Sequence, residues 1–373
     1  MIKPKILIVG AFPPPGSPVV GGIVTTCKTM MASDFPSHFD LILIDSTQRT
    51  NPPPNLMIRL LGAVIRFKEY LFALLFNRPD GVLLFAAVGP SIAEKGLMAW
   101  AARIVGIPAS MFPRGAQVIE AARESPLQKL WIKAAMRGAT QMLCQGPAWQ
   151  RFAVDELGFE SSRCPIIYNW TATPELIKIG KRRVPPSANK IPKILFLGWL
   201  EREKGVFELL GACRRLSEKH KFRLLIAGNG NAERRAKDYV MDCEMDKFVE
   251  FLGWVHGERK RQLLEEADIL VLPSWIEGFP NTVIEAMAAK LAVVVSAVGN
   301  VPDILANREQ ALLIPPKNEE MLWSALDELM CNPGLCASLA ENGHSFARDH
   351  FTTESAIARL VHAVKANTHG GSR

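Results

Sequence analysis

At 373 residues and 41.2 kDa the chain is too long for one ordinary core and suits two domains of about 150–200 residues. Its 48% hydrophobic and 22% charged residues exclude a disordered chain. The net charge of +7 is uneven: residues 1–180 hold 18 Lys+Arg against 12 Asp+Glu, and residues 181–373 hold 26 against 25.

In chain order, Pro4 and Lys5 interrupt the first ten residues and no small-residue cleavage site follows, so no signal peptide is expected. Seven cysteines (27, 144, 164, 213, 243, 331 and 336) are scattered without a C-x2-C pair. That pattern suggests neither a zinc site nor a secreted disulfide framework, and makes the cytoplasm the expected compartment. Candidate strands in the first half are Lys5–Gly10, Leu41–Asp45, Gly81–Ala86, Thr140–Cys144 and Pro165–Tyr168. Between them lies Met57–Phe76, MIRLLGAVIRFKEYLFALLF, which mixes large aliphatics with Arg59, Arg66 and Lys68. Two readings stand for it: an ordinary helix packed on a sheet, or an interfacial helix on an anionic membrane surface. Its charge-free runs fall far short of the roughly 20 residues that span a bilayer. No dense basic run with interleaved aromatics appears, so nucleic acid is not an expected partner.

Residues Thr171–Pro192 include Lys181, Arg182, Arg183, Pro185 and Pro186 and read as a linker, neither helix nor central strand. The second half offers strands at Lys193–Gly198, Phe222–Ala227, Phe248–Leu252, Asp268–Leu272, Leu291–Val295 and Ala311–Ile314. Every run is apolar on both expected faces, which fits strands covered by helices on two sides. The expected organisation is one doubly wound domain over 1–170 and another over 193–350, joined by this linker. Two such doubly wound domains place ligands at the carboxyl ends of their strands.

Three segments of the second half carry the chemistry. In FLGWLEREKGVFELL, residues 196–210, a strand turns at Gly198 and Lys204-Gly205 opens a helix. A lysine beside helix-start amides suits a phosphate, though a plain surface turn explains the segment as well. In AGNGN, residues 227–231, the third glycine of a dinucleotide fingerprint is replaced by Glu233, against a nicotinamide dehydrogenase. In LPSWIEGFPNTVIEAMAA, residues 272–289, Glu277 and Glu285 stand eight apart across a Gly-Phe-Pro-Asn loop. Carboxylates for sugar hydroxyls and backbone amides of residues 279–283 for a diphosphate then meet in one place. For Glu285 a capping box with Thr282 is the structural alternative.

These motifs together resemble glycosyltransferase family 4, retaining enzymes with the GT-B architecture of two Rossmann-like domains. The elements that match are Gly21-Gly22 and Asn169 in the first half, then Lys204-Gly205, Gly228-x-Gly230, Gly253-x-Val255, Ala267-Asp268, Pro273-Ser274, the E-x7-E pair, Val298–Asp303 and Leu312–Pro316. The resemblance implies that Lys204 binds the donor diphosphate, Glu285 the ribose and Glu277 a hydroxyl of the donor sugar. It further implies that the backbone of Gly278, Phe279, Pro280, Asn281 and Thr282 meets sugar and phosphates, and that Gly21 and Gly22 let a loop approach the diphosphate. By the same resemblance, residues 1–170 form an acceptor-binding domain rejoined by a C-terminal helix over 353–373, and residues 193–350 form a nucleotide-sugar-binding domain. Two departures are Trp199, where the family has arginine, and Met111–Gly115, which lacks the family's histidine. Arg202 stands in the same turn as Trp199, either as the replacement charge or as an exposed arginine. Arg114 is either an acceptor or phosphate contact or a basic turn.

The expected function is a metal-independent retaining glycosyltransferase without a cofactor, acting from a nucleotide diphosphate-sugar on a glycan or lipid-linked acceptor. Its alternatives are a nucleotide-sugar epimerase on the same fold and a non-catalytic nucleotide-sugar-binding protein. It is expected in the cytoplasm or at the inner face of a membrane.

Overall fold

The computed structural model describes residues 3–14, 19, 21–48, 55–115, 117–183 and 191–369. The chain divides into two compact units, Met1–Trp170 with Thr353–Arg373, and Thr171–Thr352.

The first unit is built on a five-stranded sheet, all parallel, in the order β2-β1-β3-β4-β5. Its strands are β1 (Lys5–Gly10), β2 (Asp40–Asp45), β3 (Gly81–Ala86), β4 (Ala109–Pro113) and β5 (Gln141–Met142). Alternation along β1 divides the core: Leu7 and Val9 face the layer of helices Leu56–Phe72, Pro90–Ile104 and Pro126–Met136, and Ile6 and Ile8 face the opposite layer. The helix Thr353–His369 belongs to that opposite layer, where Ile357, Leu360 and Val364 are buried beside Phe85 and Phe112.

Three strand expectations need correction here. Leu41–Asp45 is an edge strand with only Ile44 buried, since an edge has one neighbour and partial cover. Pro165–Tyr168 forms no strand and makes a single bridge, Ile166 to Cys144. Conversely, β4 was not foreseen, because Ala109 and Ser110 have little strand preference and Pro113 closes the run.

The second unit holds a six-stranded parallel sheet in the order β8-β7-β6-β9-β10-β11. Its strands are β6 (Lys193–Leu197), β7 (Arg223–Ala227), β8 (Val249–Gly253), β9 (Ile269–Leu272), β10 (Ala292–Ser296) and β11 (Leu312–Ile314). The strand order reverses between β6 and β9, so the loops leaving their carboxyl ends diverge and open a crevice. Those loops carry Lys204 and Glu277.

The expected linker is half wrong. Residues Pro174–Arg182 form a helix whose Thr173 hydroxyl caps the amide of Leu176 at 3.4 Å, with proline at the first helical position, Glu175 in the first turn, and Lys181 and Arg182 in the last. Each feature favours a helix: the cap serves an orphan amide, and the charges oppose the macrodipole. Pro185 and Pro186 lie outside the described residues. Arg183, expected in a solvated stretch, instead donates to the carbonyls of Ala289 (2.9 Å), Ala267 (2.7 Å), Leu264 (2.6 Å) and Glu265 (3.0 Å). It thereby holds the carbonyl ends of two helices, Gly257–Glu266 and Asn281–Ala288. Among the described residues, no helix is long and apolar enough to cross a membrane.

Candidate functional site

In the second unit, β6 runs into a tight turn and the 3-10 segment Arg202–Lys204, which ends at Gly205 with φ +73°. A side chain at Gly205 would meet the carbonyl oxygen of Pro273 at 2.1 Å, so this loop and the loop after β9 are pressed together. The amide of Trp275 donates to the carbonyl of Glu203 at 2.7 Å and locks that contact. The consequence is chemical: the Lys204 ammonium lies 2.5 Å from a Glu277 carboxylate oxygen, which also accepts from the Ser274 hydroxyl at 3.0 Å. Ser274 is fully buried, whereas Lys204 and Glu277 keep part of their surface. The pair is accessible, not sealed in the core.

A second contact fixes the other side of Glu277. Gly299 has φ +61°, and a side chain there would meet the Glu277 carbonyl oxygen at 1.8 Å. Next to it, the amide of Asn300 donates to the carbonyl of Gly278 at 2.7 Å. The stretch Glu277–Pro280 is thus held between the loops after β6 and β10. Gly205→Ala combines an unfavourable left-handed backbone with a backbone clash. It is expected to destabilise this unit by about 3 kcal/mol, and denaturant unfolding of the full chain checks that value.

Helix Asn281–Ala288 starts directly after Pro280 and has no side-chain cap. Val283 donates its amide to the Pro280 carbonyl at 3.1 Å and Pro280 carries no N–H, so the expected run of open amides over 279–283 is interrupted at both positions. Because the helix begins at Asn281, Thr282 lies inside it and not at the cap position, and the capping-box alternative for Glu285 fails. Glu285 is buried and pairs with Lys260 at 2.6 Å. Lys260 comes from helix Gly257–Glu266 and carried no motif, so nothing in the sequence marked it.

Arg202 is exposed and lies over the Trp275 ring at 5.6 Å, with the Lys317 ammonium 4.5 Å from the same ring. The Trp275 indole N–H donates to Glu208 at 3.0 Å. Arg202 is therefore placed at the rim, stacked on an aromatic face, while Lys204 turns toward Glu277. Trp199 packs on Trp254 with ring centroids 4.4 Å apart, an aromatic pair at the carboxyl ends of β6 and β8.

Gly21 and Gly22 belong to the first unit, where Gly22 opens the helix Gly22–Ala32. Among the described residues, nothing lies within 4 Å of where a Cβ at either would sit. Arg114 leaves the end of β4 and donates to the Thr26 hydroxyl of that helix at 3.0 Å, with its guanidinium over Phe112 and Trp170. Its Nη1 is enclosed and makes no hydrogen bond. Burial pulls Arg114 down to about 10, which leaves it charged at neutral pH, and pushes the neighbouring Cys27 thiol up to about 12. Arg114 is thus a held cation and not a loose basic turn.

The geometry of the second unit brings a lysine, two carboxylates and an uncapped helix start to the switch point of a parallel sheet. Residues 178–346 match the family described as glycosyl transferases group 1. The match takes in Lys204, Glu277 and Glu285 and does not reach Gly21 or Gly22. The chain is 31% identical over 199 residues to a putative teichuronic acid biosynthesis glycosyltransferase of Bacillus subtilis, across 52% of this chain and 48% of that protein. It spans about half the length of the curated relatives it matches. Among solved structures, the sucrose-phosphate synthase of Thermosynechococcus elongatus superposes with a TM-score of 0.75 at 18% identity, covering 99% of this chain and 100% of that one. HepE of Anabaena, solved in complex with UDP-glucose, gives 0.70 at 15% identity over 97% and 100%. The fold is GT-B, with two parallel-sheet α/β domains.

Proposed function

We propose that the chain is a retaining glycosyltransferase that takes a hexosyl group from a nucleotide diphosphate-sugar and passes it to a glycan or lipid-linked acceptor. The observation that carries this reading is the Lys204–Glu277 pair at the uncapped start of helix Asn281–Ala288, one turn before Glu285. A diphosphate competes with Glu277 for Lys204 and draws on the helix-start amides, so charge on the leaving group is met without a metal. Glu277, released from Lys204, accepts from a hydroxyl of the donor sugar, and Glu285 from the ribose. In transfer, the bond from the anomeric carbon to the diphosphate oxygen breaks and the acceptor oxygen bonds to the same face. The acceptor's proton passes to the departing phosphate. The first unit, with its excess of cations and its enclosed Arg114, takes the acceptor. Relatives named for teichuronic acid and colanic acid biosynthesis make a polysaccharide the first acceptor class to try.

Thermal unfolding with UDP, GDP, ADP and CDP tests the donor site. A nucleotide at about 100 times its Kd adds about 2.7 kcal/mol of stability. One of the four is expected to raise Tm, equally in EDTA and in magnesium, and Glu285→Ala to abolish most of the rise. No shift with any nucleotide overturns the donor site. A shift that requires magnesium overturns the metal-free reading.

A further inference from the structure

We propose that the outer face of the helix layer Leu56–Phe72, Pro90–Ile104 and Pro126–Met136 is a docking surface for an anionic phospholipid bilayer. The three helices lie side by side in one rigid layer. Tyr70 donates to the Met98 carbonyl at 2.8 Å and Arg66 to Glu94 at 2.8 Å, joining the first helix to the second. The Trp100 indole donates to the Ala134 carbonyl at 2.8 Å and Arg103 to the Arg137 carbonyl at 2.7 Å, joining the second to the third.

The face they turn outward is apolar. Of 21 large apolar side chains exposed among the described residues, 16 lie on these helices and the turns that end them, whereas residues 171–352 hold three. Met57 is 80% exposed, Phe76 72%, Ile104 82% and Leu127 80%, so these are whole side chains in solvent and not the rims of buried ones. Exposed large apolar side chains gathered on three adjacent helices, and not scattered singly over the surface, mark an interaction site.

Charge selects the occupant. Residues 56–78, 90–106 and 126–138 hold nine Lys+Arg against two Asp+Glu, and of these Arg59, Lys68, Arg78, Arg103 and Arg137 are exposed against Glu69 alone. Of the two acids, Glu94 is already taken by Arg66 and Lys95. A second copy meeting this face across a two-fold axis would set one cationic face against another. A bilayer offers the complement on both counts: anionic headgroups for the cations, and an acyl boundary for the aliphatic and indole side chains. Trp100 and Trp131, each about two-fifths exposed, suit that boundary, because an indole bridges apolar and wet surroundings. No described helix spans a membrane, so the layer lies on the surface.

Flotation of the full chain with vesicles of phosphatidylcholine and phosphatidylglycerol at about 70:30, or of phosphatidylcholine alone, tests this. Binding is expected to the anionic vesicles, to weaken at about 0.5 M salt as the cations are screened, and to be slight on neutral vesicles. Leu61→Asp with Phe76→Asp is expected to reduce partitioning at least tenfold, and Arg59→Glu with Lys68→Glu to remove the preference for anionic lipid. All four side chains stand in solvent, so Tm stays at the wild-type value. The inference is overturned if the wild type ignores anionic vesicles at low salt. It is equally overturned if the aspartate pair binds them as well as wild type, or if that pair only splits a soluble dimer. The result is independent of the donor site: a nucleotide shift without vesicle binding sinks this inference alone, and vesicle binding without a nucleotide shift sinks the transferase reading alone.

Discussion

Lys204→Ala is expected to cut sugar transfer by about two to three orders of magnitude while leaving the fold intact. One preorganised cation facing the charge that develops on a leaving group contributes on that scale. The variant keeps Glu277 hydrogen-bonded to Ser274, and Lys204 is partly exposed, so unfolding costs change little. The loss falls mainly on kcat, since the charge on the diphosphate grows as the glycosidic bond breaks. Initial rates against donor concentration, with the nucleotide identified by thermal shift, measure the split. Glu277→Gln is the informative companion: it removes the competing carboxylate from Lys204 and keeps a hydrogen-bonding side chain of equal size. Free nucleotide is expected to bind that variant at least as tightly as wild type while transfer falls. A Lys204→Ala enzyme with a wild-type rate ends the assignment.

Arg183→Ala is expected to destabilise the second unit by about 3–5 kcal/mol, the scale of breaking a partly buried, multiply bonded charge. The guanidinium serves four carbonyls and lies 4.0 Å from the buried carboxylate of Asp268. Burial lowers its pKa, and Asp268 and Glu265 offset that in part. Arg183→Lys is expected to recover little, because a single ammonium does not reproduce a planar fork spread over two helix ends. Urea titrations of wild type and both variants give the numbers. A change below about 0.5 kcal/mol, as for a solvated surface residue, returns Arg183 to the linker.

The carboxylate pair of the site was legible because its spacing is local. Glu277 and Glu285 lie on one loop and the helix it feeds, and eight positions suffice to pair a loop carboxylate with a helix face. Lys204 could be placed at a helix-opening turn after a strand from its local sequence. That it meets Glu277 could not be read there, because 73 residues separate them and the contact depends on Gly205 packing against Pro273. Lys260 carries no signal for the same reason, and Ser274, although part of the matched Pro273-Ser274 element, carries no role in the sequence. One is an ordinary helix-surface lysine in sequence, the other a serine after a buried strand, and each acquires meaning only through its carboxylate partner. The helix at Pro174–Arg182 was misread although its signals were local. Three basic residues beside two prolines read as a linker, and that pattern masks the helix start at Thr173-Pro174-Glu175.

The sequence by itself determined the class of fold. Short runs apolar on both sides, alternating with helix patterns, can be satisfied only by parallel strands covered on two faces, and the run boundaries followed from the residues within each run. The tertiary structure decided which strands neighbour one another, and therefore where the chain reverses its order and leaves a crevice between β6 and β9. It also decided which carboxylate each lysine meets. On the first unit it turned one ambiguous amphipathic segment into part of a three-helix layer with an apolar, cationic outer face. The physical reason is common to all of these. Periodicity reports what a residue does within its own element, whereas charge pairs and surfaces are sums over elements that are distant in the chain.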